Sequence, residues 1–177
     1  MFWYVLFVKT GYEQKVKVEI SRRWELGNST PFVPMYEARF KRGGRIYSEV
    51  RLLCPGYVFI ESEMSGVKFY KATRPLISQS ENALNLLRYG NGVTNDNFEM
   101  KLDEHETFMH LYNEEYCIEM SKGVLEGDKV YITDGPLKGL EGCIKKVRGS
   151  KLEAVIEMRI MGQLADVKVG LEIVKKL

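Results

Sequence analysis

The groups here that could do chemistry by number and spacing are cationic. Leu137–Lys151 holds five basic residues, Lys138, Lys145, Lys146, Arg148 and Lys151, against one acid, Glu141. Arg39–Arg51 is a second run, with Arg39, Lys41, Arg42, Arg45 and Arg51 against Glu49. The net charge of +2 hides both, because residues 1–122 carry 16 basic and 16 acidic side chains and residues 123–177 carry 10 and 8. Clustered lysine and arginine neutralise phosphates, and the guanidinium fork can read a guanine edge. Local density of this kind, not the total charge, is the electrostatic footprint of a nucleic-acid partner. A solvated basic turn is the alternative for each run.

The groups an enzyme needs form no such pattern. His105 and His110 are the only histidines, and at that separation they point to different sides of a helix, so they share no metal. No serine or cysteine stands at recognisable spacing from a base, and no GxxxxGK phosphate loop is present. Cys54, Cys117 and Cys143 are odd in number, far apart and without metal-ligand spacing, so they read as buried free thiols. The expectation is a binding protein without catalysis, cofactor or metal. No apolar run approaches the roughly 20 residues of a membrane span. The start, MFWYVLFVKT, lacks a basic n-region and meets Lys9 too early for a signal peptide. We expect a cytoplasmic monomer with no membrane contact.

These cations need elements to hold them. Hydrophobic residues make up 45% of the chain and aromatic residues 11%, enough to build a core and exclude wholesale disorder. Residues 2–8 are an unbroken apolar run, as in a strand covered on both faces. Tyr12, Val16, Ile20 and Trp24 recur at a helical spacing, and Gly27-Asn28 is the predicted stop. A strand is predicted over Pro31–Phe40, a basic turn at Lys41–Arg45, and a return strand over Ile46–Leu53. A strand at Tyr57–Ile60, a short helix at Gly66–Thr73 and a closing strand at Pro75–Ser78 complete a β-α-β-β-α-β order, the split arrangement of an α/β sandwich. Residues 79–101 read as a long loop. Asp103 with Glu106 reads as a capping box for a helix to about Glu115.

Residues 127–147, GDKVYITDGPLKGLEGCIKKV, set two alternating runs around an Asp134-Gly135-Pro136 turn, which is a hairpin signal. Further strands are predicted at Lys151–Met158, Ala165–Val169 and Leu171–Val174, broken at Gly162 and Gly170. Five short strands in so short a tract make a small all-β barrel. The division expected is 1–115, a linker at 116–122, and 123–177.

The 127–147 run resembles the KOW motif of the NusG family of transcription elongation factors. Residues 1–115 resemble that family's NGN domain, through Trp3-Tyr4, Lys9, Pro55–Ile60 and Ala72-Thr73-Arg74. The resemblance implies docking on the clamp helices of RNA polymerase through an apolar depression. That depression would use Phe7, Cys54, Pro55, Tyr57 and Phe59, with Lys15 as a charged rim contact. It also implies that the hairpin carrying Arg39, Lys41, Arg42 and Arg45 approaches upstream DNA.

The chain departs from the common pattern at Leu137, where an aromatic residue is usual, and at Lys145-Lys146-Val147-Arg148, where acids are usual. Those changes weaken the usual protein partners of the KOW domain, the termination factor Rho and a ribosomal small-subunit protein. They favour a nascent RNA hairpin bound by Lys129, Lys138, Lys145, Lys146, Arg148, Lys151 and Arg159, because specific readout needs a loop, bulge or distorted groove. The chain is similar to specialised paralogues of the LoaP type. A general factor with a protein-binding KOW domain and a ribosome-associated RNA-binding protein are the alternatives. Period-two runs and β-branched Val155, Ile156, Val167 and Val169 predict a β C-terminal domain at rest, with no switch to a helical form as in the RfaH type.

Overall fold

A computed structural model describes residues 1–90 and 97–176 of the chain. The first half runs β1 (Phe2–Val8), α1 (Glu13–Arg23), β2 (Ser29–Phe32), β3 (Met35–Arg42), β4 (Arg45–Leu52), β5 (Tyr57–Ser62), α2 (Gly66–Gln79) and β6 (Ala83–Leu86). The second half runs α3 (Leu102–Leu111), β7 (Cys117–Ile118), β8 (Ser121–Glu126), β9 (Lys129–Asp134), β10 (Ile144–Arg148), β11 (Glu153–Ile160) and β12 (Gln163–Lys176). The fold is an α/β front followed by a β-rich rear. Two compact units form, each from separated stretches: Met1–Pro34, Cys54–His105 and Ile160–Gln163 in one, Met35–Leu53, Glu106–Arg159 and Leu164–Leu177 in the other. Their borders differ from the 1–115 and 123–177 division expected from sequence.

The first unit is built on an antiparallel sheet ordered β2-β5-β1-β6. Successive residues of a strand point to opposite faces, so Trp3 and Tyr4 explain why β1 is apolar throughout. The Trp3 ring meets Phe32 edge-on at 4.9 Å, while Tyr4 stacks on Phe69 of α2 at 3.8 Å. Both faces of β1 are therefore covered. On α1 the four-residue stripe buries Val16, Ile20 and the following Trp24, but Tyr12, ahead of the first turn, stays exposed.

Three expectations are corrected here. The strand expected over Pro31–Phe40 is two strands, β2 and β3, parted at Val33-Pro34; β3 leaves the first sheet to pair with β4 and β7. The helix expected to stop at Thr73 continues through Pro75 to Gln79, so Pro75–Ser78 is not a strand. An interior proline costs a helix roughly 3 kcal/mol, yet the buried anchors Phe69 and Thr73 precede it, and the Thr73 hydroxyl donates to the Phe69 carbonyl at 2.9 Å. The closing strand is instead β6, inside the expected loop, paired with β1 at Leu6↔Leu86 and Phe7↔Asn85. The rest of that loop falls partly outside the described residues.

The second unit holds a sheet ordered β4-β3-β7 and a five-stranded sheet ordered β10-β11-β12-β8-β9. β7 and the opening of β8 lie in the stretch expected to be a linker, with Met35↔Cys117 and Tyr36↔Ile118 in parallel register. The two strands expected around Gly170 are one, β12. Gly170 serves close approach, not a turn: a Cβ there would fall 2.5 Å from the Glu37 carbonyl oxygen. The helix α3 starts at Leu102, so Asp103 lies within its first turn and is not the cap expected of it.

Candidate binding surfaces

Along β1 the neighbours Leu6 and Val8 are fully buried, whereas Phe7 is 39% exposed. Directly opposite on β5 stands half-buried Tyr57, with the two rings 5.7 Å apart. Phe59 lies on the same side of β5 but is fully buried, with its ring 5.5 Å from Phe32 and 6.2 Å from Trp3. β2 pairs with β5 only as far as Phe32↔Phe59, so Tyr57 and Phe7 form the uncovered end of this aromatic face. Phe59 is core, contrary to the expectation that it lines a docking depression. Cys54 is buried as well, while Pro55 beside it is exposed. Lys15 is exposed on α1, with its ammonium 5.6 Å from the Tyr12 ring centroid.

The loop under this patch is pinned by a residue that composition and pattern did not single out. Glu13, only 2% exposed, accepts from the Gly56 N–H at 2.7 Å and from the Gly11 N–H at 3.0 Å. The Val8 N–H in turn donates to the Gly56 carbonyl at 2.8 Å. Gly56 holds φ at +87°, and a Cβ there would meet the Phe7 ring at 3.4 Å. A carboxylate at the start of a helix, two residues after a glycine, was the available signal.

Burial pushes the Cys54 thiol up to about 12. The thiolate is the reactive form, so Cys54 is expected to resist maleimide in the native protein near pH ~8, where an ordinary thiol is only partly ionised, and to react after denaturation. The linkage has a definite sign. A raised folded-state value means the unfolded chain loses this proton first, so stability is complete below the ordinary thiol range and falls as pH rises toward the folded value. Urea melts at increasing alkalinity check it. Native labelling of Cys54 as fast as of the half-buried Cys143 would refute the protected state.

The basic residues of the rear divide into two groups. Lys145 Nζ donates to Glu157 at 2.6 Å and to Asp166 at 3.1 Å, and these hydrogen bonds, Glu157 first, hold its ammonium above the ordinary lysine range. Arg148 donates to Glu153 at 3.1 Å. Those two cations are already partnered within the fold. Lys129, Lys138, Lys146, Lys151 and Arg159 are exposed and make no ion pair among the described residues. A bulge in β10 between Ile144 and Lys146 puts Lys145 and Lys146 opposite a single step of β11, which is how two successive lysines both reach solvent. Leu137 is fully buried, and its N–H donates to Ser121 Oγ at 3.1 Å.

In the β3–β4 hairpin, Arg39 pairs with Glu37 at 3.1 Å and with Glu172 at 3.9 Å, and Arg51 pairs with Glu49. Lys41, Arg42 and Arg45 at the tip are exposed and make no ion pair among the described residues. Among those residues there is also no group of acids, histidines and cysteines able to hold a metal, and no helix is long and apolar enough to cross a membrane.

Fold and surfaces together give an α/β front that exposes the Phe7 ring beside half-buried Tyr57, and a β rear with exposed cations. A family model described as "Transcription termination factor nusG" matches residues 1–109, and the chain belongs to the NusG family. It is 26% identical over 163 residues to the transcription termination/antitermination protein NusG of Lactococcus lactis, covering 88% of this chain and 83% of that protein. It is 22% identical over 180 residues to the proteins of that name from Rickettsia conorii, covering 98% and 89%, and from Staphylococcus aureus, covering 99% and 95%.

Proposed function

We propose that this chain is a non-catalytic elongation and antitermination factor that docks on the clamp helices of RNA polymerase through its front and holds a nascent RNA hairpin with its rear. The functional division is 1–115, 116–122 and 123–177. The observation that carries the docking half is the Phe7–Tyr57 pair, two in-register aromatic rings of which Phe7 is 39% exposed and Tyr57 half-buried. Aromatic anchors of this kind supply the energetic centre of an interface with a helical partner. Pro55 and Lys15 form the rim, while Cys54 and Phe59 are buried. The RNA surface draws on Lys129, Lys138, Lys146, Lys151 and Arg159. Lys145 and Arg148 contribute only if RNA displaces their carboxylates.

A second reading has a specific observation in its favour. Lys145 bridges Glu157 and Asp166, so the outer face of the rear sheet is of mixed charge and suits a protein partner better than the sequence run implied. Reconstituted transcription across an intrinsic terminator, with and without leader RNA, separates the two. Phe7→Ala/Tyr57→Ala is expected to abolish the effect by costing about 2–4 kcal/mol of docking. Lys146→Glu/Lys151→Glu is expected to abolish only the leader-dependent part. An unchanged response in the first variant, with folding intact, overturns the docking reading. An unchanged response in the second favours a protein-binding rear.

A further inference from the structure

The carboxylate of Glu13 sits where the three stretches that carry the Phe7–Tyr57 patch and its rim converge. Its Oε1 accepts from the Gly56 N–H at 2.7 Å and its Oε2 from the Gly11 N–H at 3.0 Å. Gly56 directly precedes Tyr57, and its carbonyl accepts from the N–H of Val8, the residue after Phe7. Glu13 itself opens α1, two residues ahead of the exposed Lys15. The turn before β5, the end of β1 and the start of α1 are thus tied together through one acidic group.

Two features point to a role at the surface and not only in the core. First, Glu13 is buried and makes no ion pair among the described residues. A buried carboxylate is costly unless donors satisfy it, and here the donors are the main-chain N–H groups of two glycines. Gly56 and Gly11 hold φ at +87° and +91°. Glycine visits both signs of φ freely, so neither residue fixes its own peptide, and the partner across the gap does. Within the turn itself the one closing bond, from the Tyr57 N–H to the Cys54 carbonyl, is long at 3.2 Å. Second, the regular structure around the carboxylate has its own support. β1 and β5 stay in register from Phe2↔Ser62 to Phe7↔Tyr57, and Val16 and Ile20 bury α1. Losing the carboxylate therefore loosens the Gly56–Tyr57 peptide more than it threatens the sheet or the helix.

We propose that Glu13 is a positioning residue for docking: by fixing the Gly56 peptide it holds Tyr57 beside Phe7 in the arrangement the polymerase meets. A surface ordered in advance does not lose that freedom on binding. This deepens the docking half of the proposed function and rests on it.

The test is equilibrium binding of the full-length chain to core RNA polymerase, arranged as a double-mutant cycle. Glu13→Ala is expected to weaken binding about tenfold, since it strands both N–H groups. Glu13→Gln, which keeps a carbonyl oxygen for the Gly56 N–H, is expected to weaken it about threefold. In a Tyr57→Ala background the further change from Glu13→Ala is expected to stay within about twofold, because the carboxylate acts through that ring. Glu104→Gln serves as the control for lost stability and is expected to bind like the wild type. Circular dichroism confirms folding, and hydrogen exchange is expected to show the Gly11 and Gly56 amides losing protection in Glu13→Ala. If Glu13→Ala does not fold, Glu13→Gln carries the cycle.

Wild-type affinity in the folded Glu13 variant overturns the positioning role. So does an equal loss in Glu104→Gln, which would make the effect one of stability, or a full additive loss on top of Tyr57→Ala. Those outcomes leave the docking surface standing, provided that Phe7→Ala/Tyr57→Ala fails to bind polymerase. Wild-type affinity in that double variant overturns the docking surface itself, and the role of Glu13 falls with it.

Discussion

Glu104→Ala is expected to destabilise the protein by about 3–5 kcal/mol, because it strands several buried donors at once. Glu104 is 3% exposed. One carboxylate oxygen accepts from the Tyr89 hydroxyl and from the Met161 N–H, each at 2.8 Å, and the other accepts from the Gly162 N–H at 2.9 Å. Met161 and Gly162 form the β11–β12 turn with φ values of +51° and +82°, so the carboxylate caps a turn that includes a non-glycine residue in the left-handed region. The same Tyr89 hydroxyl accepts from the Lys101 N–H at 2.8 Å, tying the start of α3 into this network.

Glu104→Gln keeps the shape and one acceptor oxygen but faces an amide donor toward groups that donate. It is expected to cost about 1–3 kcal/mol. Chemical denaturation supplies the magnitudes, and hydrogen exchange at the Met161 and Gly162 amides supplies the location. Loss of protection confined to that turn in Glu104→Gln is the expected pattern. A Glu104→Ala variant within experimental error of the wild type would show that the turn holds itself.

Gly135→Ala is expected to cost about 3 kcal/mol, from strain of about 1–2 kcal/mol at a positive φ plus the displacement of backbone. At Gly135 φ is +98°, and a Cβ would lie 2.6 Å from the Ser121 Cα and 2.8 Å from the Met120 carbonyl oxygen. Both obstacles are main chain, so no rotamer change relieves them. Ser121 also receives the Leu137 N–H, and Leu137 is fully buried, so the shift would propagate into the rear core. Gly139 is the matched control, with φ at +85° and nothing within 4 Å of the added carbon. Gly139→Ala should pay only the backbone term, about 1 kcal/mol. For a chain of this length the difference between the two is a shift of about 4–8 °C in Tm. Equal melting temperatures would mean that the DGP turn is held by its dihedral angles alone.

The sites were legible to different depths. The polarity pattern located the exposed cations of the hairpin tip, since Lys41, Arg42 and Arg45 sit at a Gly-Gly turn that cannot be buried. It could not tell Tyr57 from Phe59, because both lie on one side of β5 and only the fold sets Phe32 and Trp3 against Phe59. Nor could it discount Lys145 and Arg148, whose acid partners Glu157, Asp166 and Glu153 come from β11 and β12. It passed over Glu104 and Glu13, because a buried carboxylate is defined by donors from distant turns and nothing in its own neighbourhood marks it.

By itself the sequence determined what local periodicity and turn chemistry can encode: the doubly covered first strand, the amphipathic first helix, the basic hairpin, and the glycine-punctuated β rear. Tertiary structure alone decided that a helix would run through Pro75, that β6 would close the front sheet, that Gly170 would mark a close approach and not a break, and which aromatic rings and cations remain available. The reason is one of range. Backbone preferences and alternation act over a few residues, whereas burial and charge pairing depend on whichever segments the fold brings alongside.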